Sequence, residues 1–127
     1  MEYGFSKIVN QPFEETVEKV TEELKKVGFG VLTEIDVKDT MKKKLDVDFK
    51  KYKILGACNP PIAHKALQIE EELGLLLPCN VIIYEKDGKT AVSVFNPMIM
   101  SQLIDNKDML AIAEEVKTKL MTVLDKI

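Results

Sequence analysis

The sequence predicts an α+β fold, a two-layer α/β sandwich in which long helices cover one face of a mixed sheet of about five strands. Three observations predict it. Short β-rich runs recur along the chain, helical runs with apolar residues three and four positions apart separate them, and an Asp-Gly turn joins the last two strands. The length of 127 residues is typical of one domain, so we expect a single domain over 1–127.

The first third of the chain predicts a strand, a helix and a second strand. The segment EYGFSKIV alternates in the manner of a strand, and FGVLTEI has the composition of another. Between them we expect a helix capped by Asn10, with Pro12 in its first turn and Gly28 as its stop. Its buried stripe recurs at spacings of three and four: Phe13, Val17, Val20, Leu24 and Val27.

The middle of the chain predicts a short helix, a strand and a longer helix. Asp36 or Asp39 can cap the short helix, which ends near Leu45. The strand YKILGAC is apolar on both sides, so we expect it inside the sheet. A helix from Pro60 to Leu73 follows, and Gly74 ends it.

The last third predicts a β-hairpin and a helix. Asp87-Gly88 lies between two β-rich runs and favours a tight turn with positive φ angles. The segment MIMSQLI has no decisive period. The final helix runs from Lys107 to about Asp125 and starts at an Asn106 cap.

Composition excludes several classes of protein. All eighteen basic residues are lysine and aromatic residues are few, which is unfavourable for nucleic-acid binding. We find no apolar run long enough for a signal peptide or a membrane span, so we expect no membrane partner and a cytoplasmic location. Two cysteines without an export signal predict reduced thiols.

Standard catalytic and cofactor motifs are missing from the sequence. It has no P-loop, dinucleotide glycine fingerprint, nucleophile elbow or HExxH motif, and His64 is its only histidine. Whether the protein is an enzyme, and which cofactor it uses, stay undecided at this point.

Both cysteines stand beside asparagines at places where secondary structure changes. Cys58 ends the third strand, and Asn59 can cap the next helix through the amide of Ile62. The positive end of that helix favours a thiolate, although Pro60 and its neighbour Pro61 remove two N–H donors from it. Cys79 begins the fourth strand, and Asn80 points to the opposite face. The two Cys-Asn pairs meet at one end of the sheet if these strands are neighbours.

These same segments resemble a known family. GACNP at 56–60 and LLPCNV at 76–81 are similar to the signature of the bacterial and archaeal domain-of-unknown-function family 302, DUF302. The resemblance covers nearly the whole chain. It implies a compact, dimeric two-layer α/β fold and a shared site near the following residues: Cys58, Asn59, Pro60, Cys79 and Asn80. It implies no established reaction.

Three functions fit these observations. The first, which we favour, is a binding module that holds a small ligand or soft metal between Cys58, Cys79 and the asparagine amides, with Asn96 as a further contact. The second is a thiol-dependent redox protein or enzyme with Cys58 as nucleophile, which requires a lowered thiol pKa. The third is a structural or interaction dimer with inert cysteines.

The expected partner is a second copy of the chain. Strands that are apolar on both sides leave one face of the sheet uncovered, and a homodimer would bury it. We expect that face to expose Leu55, Ala57, Ile82 and Phe95 in the single chain.

Overall fold

Five strands form one antiparallel sheet in the computed structural model, which describes residues 2–127. The spatial order is β1-β5-β4-β3-β2. The strands are β1 (Gly4–Val9), β2 (Gly30–Asp36), β3 (Tyr52–Cys58), β4 (Cys79–Lys86) and β5 (Lys89–Phe95).

The predicted fold class is confirmed, but the sheet contains no parallel pair and so is not mixed. The helical connection from β1 to β2 crosses the whole sheet, and it places these two strands at opposite edges. Every other connection joins antiparallel neighbours, so no two adjacent strands run the same way.

The helices are α1 (Phe13–Lys26), α2 (Val37–Leu45), α3 (Pro60–Ile69), α4 (Met98–Leu103) and α5 (Lys107–Lys126), with a 3₁₀ helix at Glu71–Leu76. The long helices α1 and α5 pack on one face of the sheet and on each other. The core lies between them and that face, where Val20, Leu24, Val81, Ile83 and Leu120 are fully buried. None of the helices within residues 2–127 has the length and apolar character needed to cross a bilayer.

Three of the expected helix caps are present and one is not. Asp36 accepts from the amide of Asp39 at 2.9 Å, Asn59 from Ile62 at 3.3 Å, and Asn106 from Asp108 at 2.8 Å and from Met109 at 3.2 Å. The prediction that Asn10 caps α1 was wrong, because the residue at the cap position of this helix is Pro12. Asn10 is therefore two positions too early.

The helix α3 is shorter than predicted. It ends at Ile69 because Glu70 adopts extended backbone angles, and the Glu70 carboxylate accepts a hydrogen bond from the Glu72 amide at 3.1 Å. A separate 3₁₀ helix then continues through Gly74, which is therefore not a helix stop. Leu73 is still buried in the core.

The predicted hairpin is confirmed. Lys86 pairs with Lys89, and the two turn residues Asp87 and Gly88 have φ angles of 51° and 77°. Positive φ at both positions is the geometry that the Asp-Gly pair favours. The ambiguous segment MIMSQLI forms the short helix α4.

We call the sheet face opposite α1 and α5 the open face. The prediction that Leu55 and Ala57 lie on it was wrong, because both point towards the helices of the same chain and are buried. Ile82 and Phe95 do alternate onto the open face, where they are half-buried. The strand registers give the inner positions of the open face, between Lys86 and Lys89 at its hairpin end and the Gly30–Cys58 pair at its other end: Gly4, Ser6, Ile8, Thr33, Ile35, Tyr52, Ile54, Gly56, Asn80, Ile82, Tyr84, Ala91, Ser93 and Phe95.

Candidate functional site

The strand order brings the two cysteines to the same end of the sheet. β3 and β4 are neighbours, and Cys79 at the start of β4 pairs with Ala57 near the end of β3. Cys58 is the next residue along β3. The two Cys-Asn segments therefore meet at one end of the sheet, as expected if β3 and β4 are neighbours, although 20 residues lie between the two cysteines in the sequence.

Cys58 and Cys79 line one small cavity, which we call the thiol cavity. It has a volume of about 30 Å³ and lies between the strand ends, α3, the 3₁₀ helix and α5. Met100 from α4 contributes a third sulfur-bearing side chain to its wall. The rest of the wall is almost entirely apolar and includes Phe29, Ile62, Leu73, Leu77, Ile112 and Val116.

The local sequence explains how α3 is placed against this cavity. Asn59 extends the chain out of β3, and its side-chain oxygen caps α3. Its amide nitrogen lies against Gly28, where an added Cβ atom would be only 2.9 Å away. Gly28 also has a φ of 86°. Glycine is therefore favoured at this position both because a Cβ atom has no room and because the φ angle is positive. Asn59 thus has a structural role in addition to lining the cavity.

Burial raises the pKa of both thiols. It raises the pKa of Cys58, which is partly buried, and together with the neighbouring Cys58 it raises the pKa of Cys79 to about 11. The prediction that the positive end of α3 favours a Cys58 thiolate was wrong, because the pKa of Cys58 is raised and not lowered. Desolvation penalises the charged form, and Pro60 and Pro61 offer no N–H groups to a thiolate.

The other predicted site residues lie away from the cavity wall. Pro60 is exposed in the first turn of α3, and Asn80 is exposed on the open face because side chains alternate along β4. Asn96 is buried, but its side chain is already paired. It donates to the Glu2 carbonyl at 2.8 Å and accepts from the Met98 amide at 3.0 Å.

Harder metal ligands do not gather in this protein. Within residues 2–127, no three or more His, Cys, Asp and Glu side chains lie close enough together to hold an ion. His64 is exposed on α3, where its Nε2 lies 3.4 Å from the side-chain nitrogen of Gln68. The sulfur atoms of Cys58, Cys79 and Met100 are therefore the donors that the thiol cavity offers.

Met100 is the site residue that the sequence did not reveal. It belongs to MIMSQLI, whose apolar residues fit several periods, and its place in the cavity depends on how α4 packs against α5. The one feature of the sequence that could have suggested it is the presence of two methionines in this segment, Met98 and Met100.

Comparison with known proteins agrees with this fold. The family model described as "Domain of unknown function DUF302" matches residues 5–127. A crystal structure of an uncharacterized conserved protein DUF302 from Bacillus stearothermophilus is similar, with a TM-score of 0.91 and 28% sequence identity over 99% of this chain and 98% of that one. No curated protein matches the chain. The protein belongs to the DUF302 family of unknown function, which confirms the resemblance carried by its two Cys-Asn segments.

Proposed function

We propose that this protein is a small dimeric binding module and that its thiol cavity holds a soft metal ion. The observation that carries the proposal is that the only two cysteines of the chain, distant in sequence, line one small cavity together with Met100. Asn59 is the only polar residue of the wall besides the cysteines, and its side-chain oxygen already accepts a hydrogen bond from the Ile62 amide.

The size of the cavity favours an ion over an organic molecule. Ligand pockets for organic molecules usually measure about 300–1,000 Å³, whereas a single water needs about 10–15 Å³. The thiol cavity, at about 30 Å³, is close to the lower of these sizes. An organic ligand would require α3, α4 or the 3₁₀ helix to move away from the sheet.

The chemistry of the donors favours copper(I). Thiolate and thioether sulfur are soft ligands, and Cu(I) is the common biological ion that a set of only such ligands selects. Structural zinc sites use four ligands, usually cysteine and histidine, and the cavity does not supply them. Cys58 and Cys79 would be the principal ligands and Met100 a weaker third.

Binding at this site would compete with protons. The raised pKa of both thiols keeps them neutral near pH 7, so an incoming ion displaces protons from sulfur. We therefore expect the affinity for Cu(I) to increase as the pH rises from 6 to 9.

The test is an anaerobic titration of reduced protein with Cu(I) in competition with a chromogenic chelator, followed by native mass spectrometry. We expect one ion per chain, loss of binding in the double variant Cys58→Ser, Cys79→Ser, and roughly tenfold weaker binding in Met100→Leu. His64→Ala removes the only histidine, which is exposed and outside the cavity, and should bind as the wild type does. Equal binding by the double variant, or none by the wild type, would contradict the proposal.

The thiol-enzyme alternative has less support from the geometry. A nucleophilic cysteine requires a lowered pKa, whereas burial raises the pKa of both thiols. The interaction-domain alternative is favoured by a different part of the molecule, the open face.

A further inference from the structure

We propose that the open face is an interface at which two copies of this chain pack sheet to sheet. The proposal concerns a surface separate from the thiol cavity, and it does not depend on whether that cavity binds a metal.

The first argument is the depletion of charge. None of the fourteen inner positions of the open face is charged, whereas 31% of the residues in the whole chain are. Towards the hairpin end of this face, the Nζ of Lys50 lies 4.8 Å from the centre of the Tyr84 ring. Charged side chains of the inner strand positions point to the other face, where Lys7 reaches the Leu124 carbonyl and Lys53 pairs with Glu34. Lys86 and Lys89 share the open side only at the hairpin end.

The second argument is the kind of side chain that replaces the charges. A solvated face of an antiparallel sheet is normally polar, but this face presents Ile8, Ile35, Ile54 and Ile82. Ile8 and Ile35 are each 48% exposed. Depletion of charge together with enrichment of apolar and aromatic residues is the mark of an interface centre.

Tyrosines dominate the centre of the open face and its rim. The rings of Tyr52 and Tyr84 stack at 5.1 Å with an interplanar angle of 16°, and Tyr3 at the rim is 82% exposed. Beside them, the hydroxyls of Ser6 and Ser93 are hydrogen-bonded to each other at 2.7 Å. These side chains, together with Glu2 and Ile82, surround a depression of about 710 Å³, into which a facing surface can insert its own side chains.

The available area is sufficient for a dimer. Five strands about 4.8 Å apart and seven residues of about 3.3 Å each give a face of about 24 by 23 Å. That is about 550 Å² per copy, or about 1,100 Å² in total, which exceeds the roughly 1,000 Å² expected of a biological interface. The exposed Phe49 adds to it, since its ring lies 6.3 Å from the ring of Tyr52.

A second copy is the occupant that fits such a face best. In a twofold dimer the same patch must meet itself, so any charge near the axis would face a like charge. Apart from the lysines towards its hairpin end, the patch consists of isoleucine, tyrosine, serine and other uncharged residues, so it meets that requirement.

The test is light scattering after size-exclusion chromatography, on metal-free reduced protein at about 50 µM. We expect the wild type to have twice the chain mass of 14.4 kDa. Ile82→Lys and Ser6→Lys each place a charge on the open face and should run at the mass of one chain, with dimerisation weakened at least tenfold. The matched control Leu103→Lys changes an exposed leucine outside the sheet and should leave the dimer intact.

Ser6→Lys also guards against misfolding, because Ser6 is exposed on an edge strand and the change removes no core contact. It should bind Cu(I) as the wild type does, so that failure of one proposal is distinguishable from failure of the other. A wild-type monomer at this concentration, or a dimer that persists in both lysine variants, would overturn the assignment of the interface.

Discussion

Because the thiol of Cys79 is buried, the free energy of unfolding should fall as the pH becomes alkaline. A free cysteine titrates near pH 8.5–9, whereas burial raises the pKa of Cys79 in the folded chain to about 11. Its contribution to stability is therefore fully present below the unfolded pKa, and it is lost as the pH rises through the folded one.

We predict an additional loss of about 2–3 kcal/mol of unfolding free energy between pH 8.5 and 11, which corresponds to a pKa difference of about two units. Urea unfolding of the wild type and of Cys79→Ala at several pH values would measure it. Lysine and tyrosine titration affects both proteins, so the relevant quantity is the difference between them. If the free energies of unfolding of the two proteins changed in parallel with pH, the Cys79 thiol would not be desolvated in the folded chain.

At the residue level, the sequence predicted the features that depend on neighbouring residues and missed those that depend on how distant parts of the chain pack. Asn59 and Asn106 were identified as caps because a cap acts within three positions of itself. Met100 was missed because its position in the thiol cavity depends on the packing of other elements. The direction of the Cys58 pKa shift was also missed, since burial is a property of the folded chain.

Among the elements, α5 has the most complete N-terminal cap. The Asn106 side chain accepts hydrogen bonds from two amides, and the helix it starts contributes seven buried residues to the core. Loss of such a cap usually costs about 1 kcal/mol.

We therefore expect Asn106→Ala to lower the free energy of unfolding by about 1 kcal/mol, as measured by urea denaturation. Asn10→Ala is the matched control, because Asn10 also precedes a helix but does not cap it. That change should alter stability by less than about 0.5 kcal/mol. A larger effect at Asn10 than at Asn106 would contradict the assignment of the two caps.

Helix ends were the least predictable feature of the elements. The apolar spacing continues from Ile69 to Leu73, so periodicity alone extends α3 through them. The helix instead ends where Glu70 bonds to the Glu72 amide and starts a new turn. A side-chain hydrogen bond of this kind and one more turn of helix differ little in free energy. A hydrophobic pattern therefore does not reveal which of the two structures forms.

Across the whole molecule, stability is distributed unevenly. The helix α2 has no buried residue, and it is supported by its Asp36 cap and by ion pairs such as Asp39 with Lys43 at 2.9 Å. Exposed pairs of this kind contribute little to stability, because water and salt screen the two charges. The strand β4, in contrast, lies between two neighbours and contains Val81 and Ile83, both fully buried.

Hydrogen exchange should show this contrast directly. We predict that the amides of α2 exchange by local opening, at least a hundredfold faster than those of β4, when monitored by mass spectrometry. Peptides from α5 serve as a helical control and should be protected nearly as well as β4. Slow exchange in α2 would indicate that contacts outside the single chain cover it.

The fold class was predictable because each strand and helix leaves its own period in the sequence. The order of the strands was not, since the same elements are compatible with several sheets. A mixed sheet with long helices on one face was expected as an economical arrangement of these elements, whereas here α1 carries the chain to the far edge and every adjacent pair is antiparallel. The meeting of Cys58 and Cys79 followed from strand order alone.

That crossing also determines when the sheet can be completed during synthesis. Ser6 of β1 pairs with Ser93 of β5, 87 positions later. The first strand therefore leaves the ribosome long before its partner exists, and at about 5–20 residues per second it waits for seconds. Contacts between such distant positions also slow folding. For that interval the apolar side chains of Phe5 and Ile8 have no sheet to pack into, and unpaired strands of this kind are what chaperones protect on a growing chain.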